Sequence, residues 1–435
     1  MTTSVFQTAN ALRKDAKFDD AIELYAANWR NEDLPRYEWD VWSYAFCLRK
    51  AKRYGELLDF CRVAFPSYGH FEPFKVLYAW AIYYTTVAQP DRVEVGVFMK
   101  AAKGIMRLCA QADVYSPFTL TVFKVLDSLA SKNKFPAREI LEWTGLLNPE
   151  LLEAQPFVFK NKEGKQQAVA SRLEQYFMWR AKAFLLSAQY EDCDALVELA
   201  FASNSQWHYG NEHWLKRIQA SALVGLERLQ EASMLLLGVW AHKKDWFVAF
   251  DMAKLSLRMN NPAQGFSCLL KAVLSFGDME KKVKVYRALA DFLMEHDRVA
   301  DALLHFELIA LIRSDFGWSQ DAVVDGILLA HDINVGFAGS SLALYERLQT
   351  AWATWASAAA EIHRGSVMSI LGSGKSGFLK DAADGKSYFF HFKHICDKQK
   401  NVVVGQSVSF ELEAAFDAKK QLHVLNAVRV CSTKL

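Results

Sequence analysis

The sequence predicts a mainly α protein, built of repeated helical hairpins, that ends in a small five-stranded antiparallel β-barrel. Three observations carry this. From residue 1 to about 364, apolar residues recur at spacings of three and four, as in Ala21, Leu24 and Tyr25 and in Leu303, Leu304, Phe306 and Leu308, which is the period of amphipathic helices. After Gly365 the period changes to two, in the runs SVMSIL, SYFFHF, VSFELE and LHVLNAVRV, with Gly372, Gly374, Gly377, Gly385 and Gly405 between them and no proline. Basic charge gathers in the same stretch. From Gly365 onward ten Lys and Arg stand against six Asp and Glu, whereas the residues before it carry 41 basic against 43 acidic.

The helical part divides by these patterns into a first block at 1–155, a second at 156–340 and a connecting helix at 341–364, ahead of the barrel at 365–435. Breakers (Pro35, Pro66, Pro90, Pro117, Pro149 and Pro262) are expected between helices. Gln155–Gln166 is a polar interruption, expected as a loop or inserted turn. The Ala-rich segment from Ser341 to about His363 is expected as one helix, closing the array or leading stiffly into the barrel.

The helices also repeat. AKFDDAIELY sets Ala16, Phe18, Ala21 and Tyr25 at the places where a hairpin needs small residues for close approach and large ones to fill gaps. Weaker copies occur at Lys50–Cys61, Ser187–Ala200, Gly225–Leu236, Asn260–Val273 and His296–Ile309. The small-residue anchors Ala21 and Leu57 are 36 apart, and Ala232, Gly265 and Ala302 follow at steps of 33 and 37. In spacing and residue type this array resembles the tetratricopeptide family, with Pro90–Tyr176 the poorest fit and few units with Gly at the turn. The resemblance implies an α-solenoid whose concave groove holds a protein partner.

The C-terminal runs resemble the cold-shock domain family of OB-fold barrels. Counting from Gly365 without a gap, the family's first nucleic-acid motif falls on Gly374-Lys375-Ser376-Gly377-Phe378-Leu379. Its second falls on Tyr388-Phe389-Phe390-His391-Phe392, after the Asp384-Gly385 turn. Gly405 to Phe410 and Ala427 to Val430 match the family's later strands. The resemblance implies single-stranded RNA or DNA as ligand. Phe378, Phe389 and His391 would project together with Phe392 near the edge, and bases would stack on the rings. Lys375, Lys380, Lys386 and Lys393 would follow the phosphates. Ser369 and Ser376 stand where the family carries aromatic residues, so half of the usual stacking platform is missing.

Other signals point elsewhere less well. The stretch Ser369 to Ser376 is one residue short of a phosphate-binding loop and lacks the helix that must follow its lysine. His391, His394 and Cys396 match no common zinc spacing, so neither metal nor cofactor is expected. The cluster SNSQWHYGNEHW is expected as a polar inter-repeat loop, and the pairs Lys243-Lys244 and Lys281-Lys282 as solvated helix faces. The seven scattered cysteines are expected to be reduced thiols. The opening MTTSVFQTANALRK has no apolar core of a secretory leader, and the longest apolar run, near Ala232–Ala241, is too short to cross a bilayer. The expectation is a cytoplasmic, non-enzymatic adaptor with a nucleic-acid-binding barrel. The alternative is a protein-interaction scaffold whose barrel has lost nucleic-acid binding.

Overall fold

The computed structural model describes residues 5–31, 34–204, 206–333, 340–359, 361–396, 402–417 and 422–433. They fall into two compact units, Met1–Asn211 and Glu212–Leu435. The first holds helices α1 (Val5–Lys14), α2 (Phe18–Asn28), α3 (Glu38–Lys50), α4 (Tyr54–Tyr68), α5 (Glu72–Ile82), α6 (Val95–Leu108), α7 (Phe118–Ala130) and α8 (Ala137–Thr144). The two-stranded ribbon β1 (Phe157–Lys160) and β2 (Gln166–Val169) follows, then α9 (Arg172–Leu186) and α10 (Tyr190–Ser203). The second unit holds α11 (Asn211–Gly225), α12 (Leu229–His242), α13 (Trp246–Arg258), α14 (Pro262–Leu274), α15 (Val283–Glu295), α16 (Val299–Asp315), α17 (Ala322–Ala330) and α18 (Ser341–Ala359). Five strands close it: β3 (His363–Ile370), β4 (Ser376–Asp381), β5 (Ser387–His391), β6 (Ser407–Asp417) and β7 (Leu422–Ser432).

The hairpins share one turn. Ala16, Lys52, Ala188, Glu227, Asn260 and Asp297 have φ between 54° and 60°, and each lies two residues before the second helix of its pair. The amide after each of them bonds the carbonyl five residues back: Lys17 to Leu12, Arg53 to Leu48, Gln189 to Phe184, Arg228 to Leu223, Asn261 to Ser256 and Arg298 to Leu293. This is a Schellman turn, normally closed by glycine. None of the six uses one, so the glycine signal that marks such turns in a sequence is absent here. The anchors Ala21, Leu57, Ala232 and Ala302 are fully buried, each on the second helix of a hairpin.

Three local expectations need correction. Pro66 lies inside the last turn of α4, not between helices. The interruption at Gln155–Gln166 contains an antiparallel ribbon that pairs Phe157 with Val169, and Asn161 organises its turn by accepting the amides of Glu163 and Lys165. This ribbon and helices α9 and α10 belong to the first unit, which ends at Asn211 rather than at residue 155. Arg180 of α9 ties α8 into the same unit by donating to Thr144 Oγ1 at 3.0 Å.

In the second unit α18 packs as the last helix of the array. Its Trp352 is fully buried, stacks on Tyr286 at 5.7 Å and donates to His305 Nε2 at 2.8 Å. The strands form a closed barrel in the order β3-β4-β5-β7-β6 around Val367, Leu379, Phe390, Val408, Phe410, Ala427 and Val430. The barrel is mixed, because β5 and β7 run parallel. An odd number of strands cannot close a ring with every neighbour antiparallel, so the purely antiparallel barrel expected from the sequence is geometrically excluded. Two glycines permit closure. A Cβ on Gly365 would lie 2.1 Å from the Lys380 carbonyl oxygen, and one on Gly377 would lie 2.3 Å from that of Ser369 and press on the Phe390 ring.

Candidate nucleic-acid interface

Alternation along β4 and β5 separates two sets of side chains. Leu379 and Phe390 are fully buried in the barrel. Their neighbours Phe378 and Phe389 point outward and pair across the strands, with ring centroids 5.7 Å apart and planes at 72°. The same register extends the outer row, from Ser369 through Phe378 and Phe389 to Asn426 and Glu413. His391 shares the face of Phe389 by alternation. Its Nδ1 accepts the Lys393 amide at 3.1 Å, which leaves Nε2 to meet a ligand.

Phe392 is not part of this face. It opens a single 3₁₀ turn that ends β5, and its ring stacks on core Phe390 at 5.7 Å and 14°. By the alternation that sends Phe389 and His391 outward, Phe392 shares the inward parity of Phe390 and packs against it. Ser376 pairs with His391 and is buried, while Ser369 stays half-buried beside Phe378. The register shifts between Val367 and Ser369, which makes Met368 the bulged residue. Met368 is exposed, and its sulfur accepts from Ser387 Oγ at 3.5 Å, beside Lys380. A polarisable side chain thus stands next to the position left empty by Ser369. Its signal was in the sequence: core residues Val367 and Ile370 are three apart, out of phase for an unbroken strand.

The lysines differ in availability. Lys375, Lys380 and Lys393 are exposed. Lys386 is exposed but paired with Asp384 at 3.4 Å. Asp384 also accepts the Tyr388 hydroxyl at 2.8 Å, which holds that phenol up at about 12. The rim around the two rings is therefore net positive, with one lysine already compensated.

Beyond Asn426 and Glu413 the barrel meets the helices of its own unit. Lys244, just past α12, pairs with Glu413 at 2.8 Å and donates to the Ala414 carbonyl at 2.9 Å. Burial lowers its affinity for the proton while Glu413 raises it. Ala414 packs on the helical core. Arg429, in the left-handed region at φ 49°, bonds Ser357 Oγ of α18 at 2.6 Å and Glu411 at 3.1 Å. Between these contacts opens a cleft of about 670 Å³, lined on the barrel side by Phe389, His391 and Lys393 and on the helical side by Trp240, Lys271 and Ser275. The sequence does not bring these two sets together.

One member of each basic pair departs from the expected solvated face: Lys244, though exposed, clamps the barrel, and Lys282 is fully buried, while Lys281 stays exposed. Lys282 Nζ donates to the carbonyls of Val273, at 3.2 Å, and Ser275. The cysteines correct the sequence reading as well. Cys396 and Cys431 form a disulfide, with Cα atoms 5.0 Å apart, while Cys47, Cys61, Cys109, Cys193 and Cys268 are buried free thiols. In the first unit residues 206–211 are built around buried Glu174, which accepts the His208 amide and His208 Nδ1, each at 2.8 Å, and Asn211 Nδ2 at 2.7 Å. It is a loop anchor.

Residues 213–331 match the model of a domain of unknown function, DUF7017. No curated protein matches the chain. Among solved structures, the human IFIT1 dimer with PPP-AAAA aligns over 82% of this chain and 83% of that chain, at 10% identity and a TM-score of 0.34. The human IFIT1 dimer with m7Gppp-AAAA aligns over 82% and 90%, at 10% identity and a TM-score of 0.33. Among the described residues, no helix is long and apolar enough to cross a membrane.

Proposed function

We propose that this chain is a non-enzymatic adaptor that binds single-stranded RNA or DNA on the outer face of its C-terminal barrel and a protein partner on its helical repeats. The observation that supports the first part is the Phe378–Phe389 pair, two half-exposed rings side by side on the central strands within a lysine rim. A five-stranded barrel of the OB kind, the cold-shock family included, binds oligonucleotides on this part of its surface. Flat rings carry unstacked bases whatever their sequence, and lysines track the backbone. The face is short because Ser376 is buried and Phe392 serves the core, so the footprint spans few nucleotides. A cytoplasmic setting suits the five buried thiols, and the Cys396–Cys431 bond, exposed at Cys396, is then one that cellular reductants reach.

The test is titration of the full chain with labelled single-stranded RNA and DNA at several salt concentrations. Binding that weakens with salt and depends on Phe378 and Phe389 supports the reading. A folded chain that binds neither at low salt leaves the scaffold alternative.

A further inference from the structure

The cleft between the barrel and the helices of the second unit continues the aromatic face. Phe389 and His391 belong to both: they end the stacking row and line the cleft wall. The cleft is also where uncompensated positive charge collects. Its walls carry Lys244, Lys271 and Lys393 with His391 and His394, against the single carboxylate of Glu413. That carboxylate is held by Lys244 at 2.8 Å. Among the described residues neither Lys271 nor Lys393 forms a salt bridge; the carboxylate that Lys271 feels, Glu411, is itself paired with Arg429 at 3.1 Å, so two ammonium groups on opposite walls line the opening.

The loop beside the cleft presents one more ring. Phe276, next to the lining residue Ser275, is 100% exposed. A wholly solvated phenylalanine gains nothing for the fold, and this one is held out by a rigid support. Buried Lys282 grips the carbonyls of Val273 and Ser275 on its N-terminal side. On the other side Gly277, at φ 145°, lies so close to Trp246 that a Cβ would come within 2.8 Å of that ring. The backbone on both sides of Phe276 is thereby fixed, as a pre-organised contact surface requires.

We propose that this cleft is the second half of the nucleic-acid site. A single strand whose bases stack on Phe378 and Phe389 runs on past His391 into the cleft, where Lys271 and Lys393 hold its phosphates and Phe276 stacks a further base at the lip. The occupant is a polyanion that also carries flat rings, because the cleft offers paired cations together with an exposed aromatic. This extension rests on the barrel reading, and it explains how a barrel lacking two of its stacking residues reaches a useful footprint.

Phe276→Ala, Lys271→Ala and the double variant, each in the full chain, test it against single-stranded oligouridines of about 4 and about 16 nucleotides, the span of site sizes for such barrels. The long strand is expected to lose roughly 5- to 150-fold in affinity with Phe276→Ala, the value of one stacked base. Lys271→Ala should reduce the slope of log K against log salt by about 0.7, the single-strand figure per phosphate contact. The short strand, filling the barrel face alone, should be unchanged by Phe276→Ala. Lys271→Glu and circular dichroism melts separate a charge effect from damage to the fold. Long-strand affinity and salt slope equal to wild type in every cleft variant, with binding still abolished by Phe378→Ala/Phe389→Ala, overturn the cleft extension and leave the barrel reading intact. No binding by the wild-type chain overturns both. Oligoglutamate binding that depends on Lys271 and Phe276, where oligouridine binding does not, assigns the cleft to acidic peptides and also overturns the proposal.

Discussion

Removing the rings of Phe378 and Phe389 should cost nucleic-acid affinity without costing the barrel. Each ring is half-buried on the outer face, so the fold loses chiefly their mutual contact at 5.7 Å, on the order of 0.5–1.5 kcal/mol. Their inward neighbour Phe390 is fully buried, and Phe390→Ala should remove about 3–5 kcal/mol. Affinity behaves the other way. A stacked base is worth about 1–3 kcal/mol, so either outward substitution should weaken binding roughly 5- to 150-fold. The double variant should fall short of the product of the singles, because the rings support each other. The salt slope should stay at its wild-type value, since no charge is removed. Fluorescence anisotropy over a salt series, beside circular dichroism melts, reads all of this. The reasoning is refuted if the single variants bind as wild type does, or if affinity is lost only where the barrel unfolds.

Three further outcomes follow from the structure. The Cys396–Cys431 bond closes a segment of sequence separation 35, worth roughly 3–4 kcal/mol in the chain-entropy model, so Cys396→Ser should lower the barrel's melting temperature while dithiothreitol lowers it only in the wild type. Burial lowers His305 from 6.5 to about 4, so the unfolded chain binds the proton more readily and stability should fall as pH drops through that window. The loss is at most about 1.4 kcal/mol per pH unit, and thermal melts should show a steeper fall in the wild type than in His305→Gln over that window. Ala188, at φ 54°, carries a left-handed penalty that glycine lacks, so Ala188→Gly should stabilise the first unit by about 0.5–1 kcal/mol and Ala188→Val should destabilise it in chemical denaturation.

Periodicity made the helices and strands legible, because one buried face per element leaves its spacing in the sequence. Ala21, Leu57, Ala232 and Ala302 show this, all buried on the second helix of a hairpin. The alternation through Phe389, Phe390 and His391 likewise set apart the outward and inward side chains. What was not legible depends on contacts between distant segments. Lys244 and Lys282 read as members of solvated basic pairs, yet Glu413 recruits the first, and two carbonyls at the end of α14 bury the second. Phe392 matched a motif position, but its ring packs on the core residue Phe390 rather than on the outer face. Cys396 and Cys431 lack any local spacing pattern, since the segment after the 3₁₀ turn and the last strand, β7, meet only when the barrel closes.

The missing aromatics at Ser369 and Ser376 and the unexplained exposure of Phe276 bear on one another. Measured against the cold-shock pattern that the sequence resembles, serine at both positions removes up to about 2–6 kcal/mol of base contacts from an isolated barrel. A barrel bound to helices is not isolated, however. Its Glu413 and Arg429 are committed to Lys244 and Ser357, which fixes the helical wall beside the stacking row. On the proposed reading, fixing that wall offsets what the serines lack, because Lys271 lines the cleft and Phe276 stands beside it. Loosening the dock should therefore cost affinity even where no ligand-contacting residue is changed. Ser357→Ala removes the bond from Arg429 to α18 without changing any charge and leaves Phe378, Phe389, Lys271 and Phe276 in place. Long-strand binding should weaken while short-strand binding holds, and equal weakening of both would show that the barrel, not the dock, had been damaged.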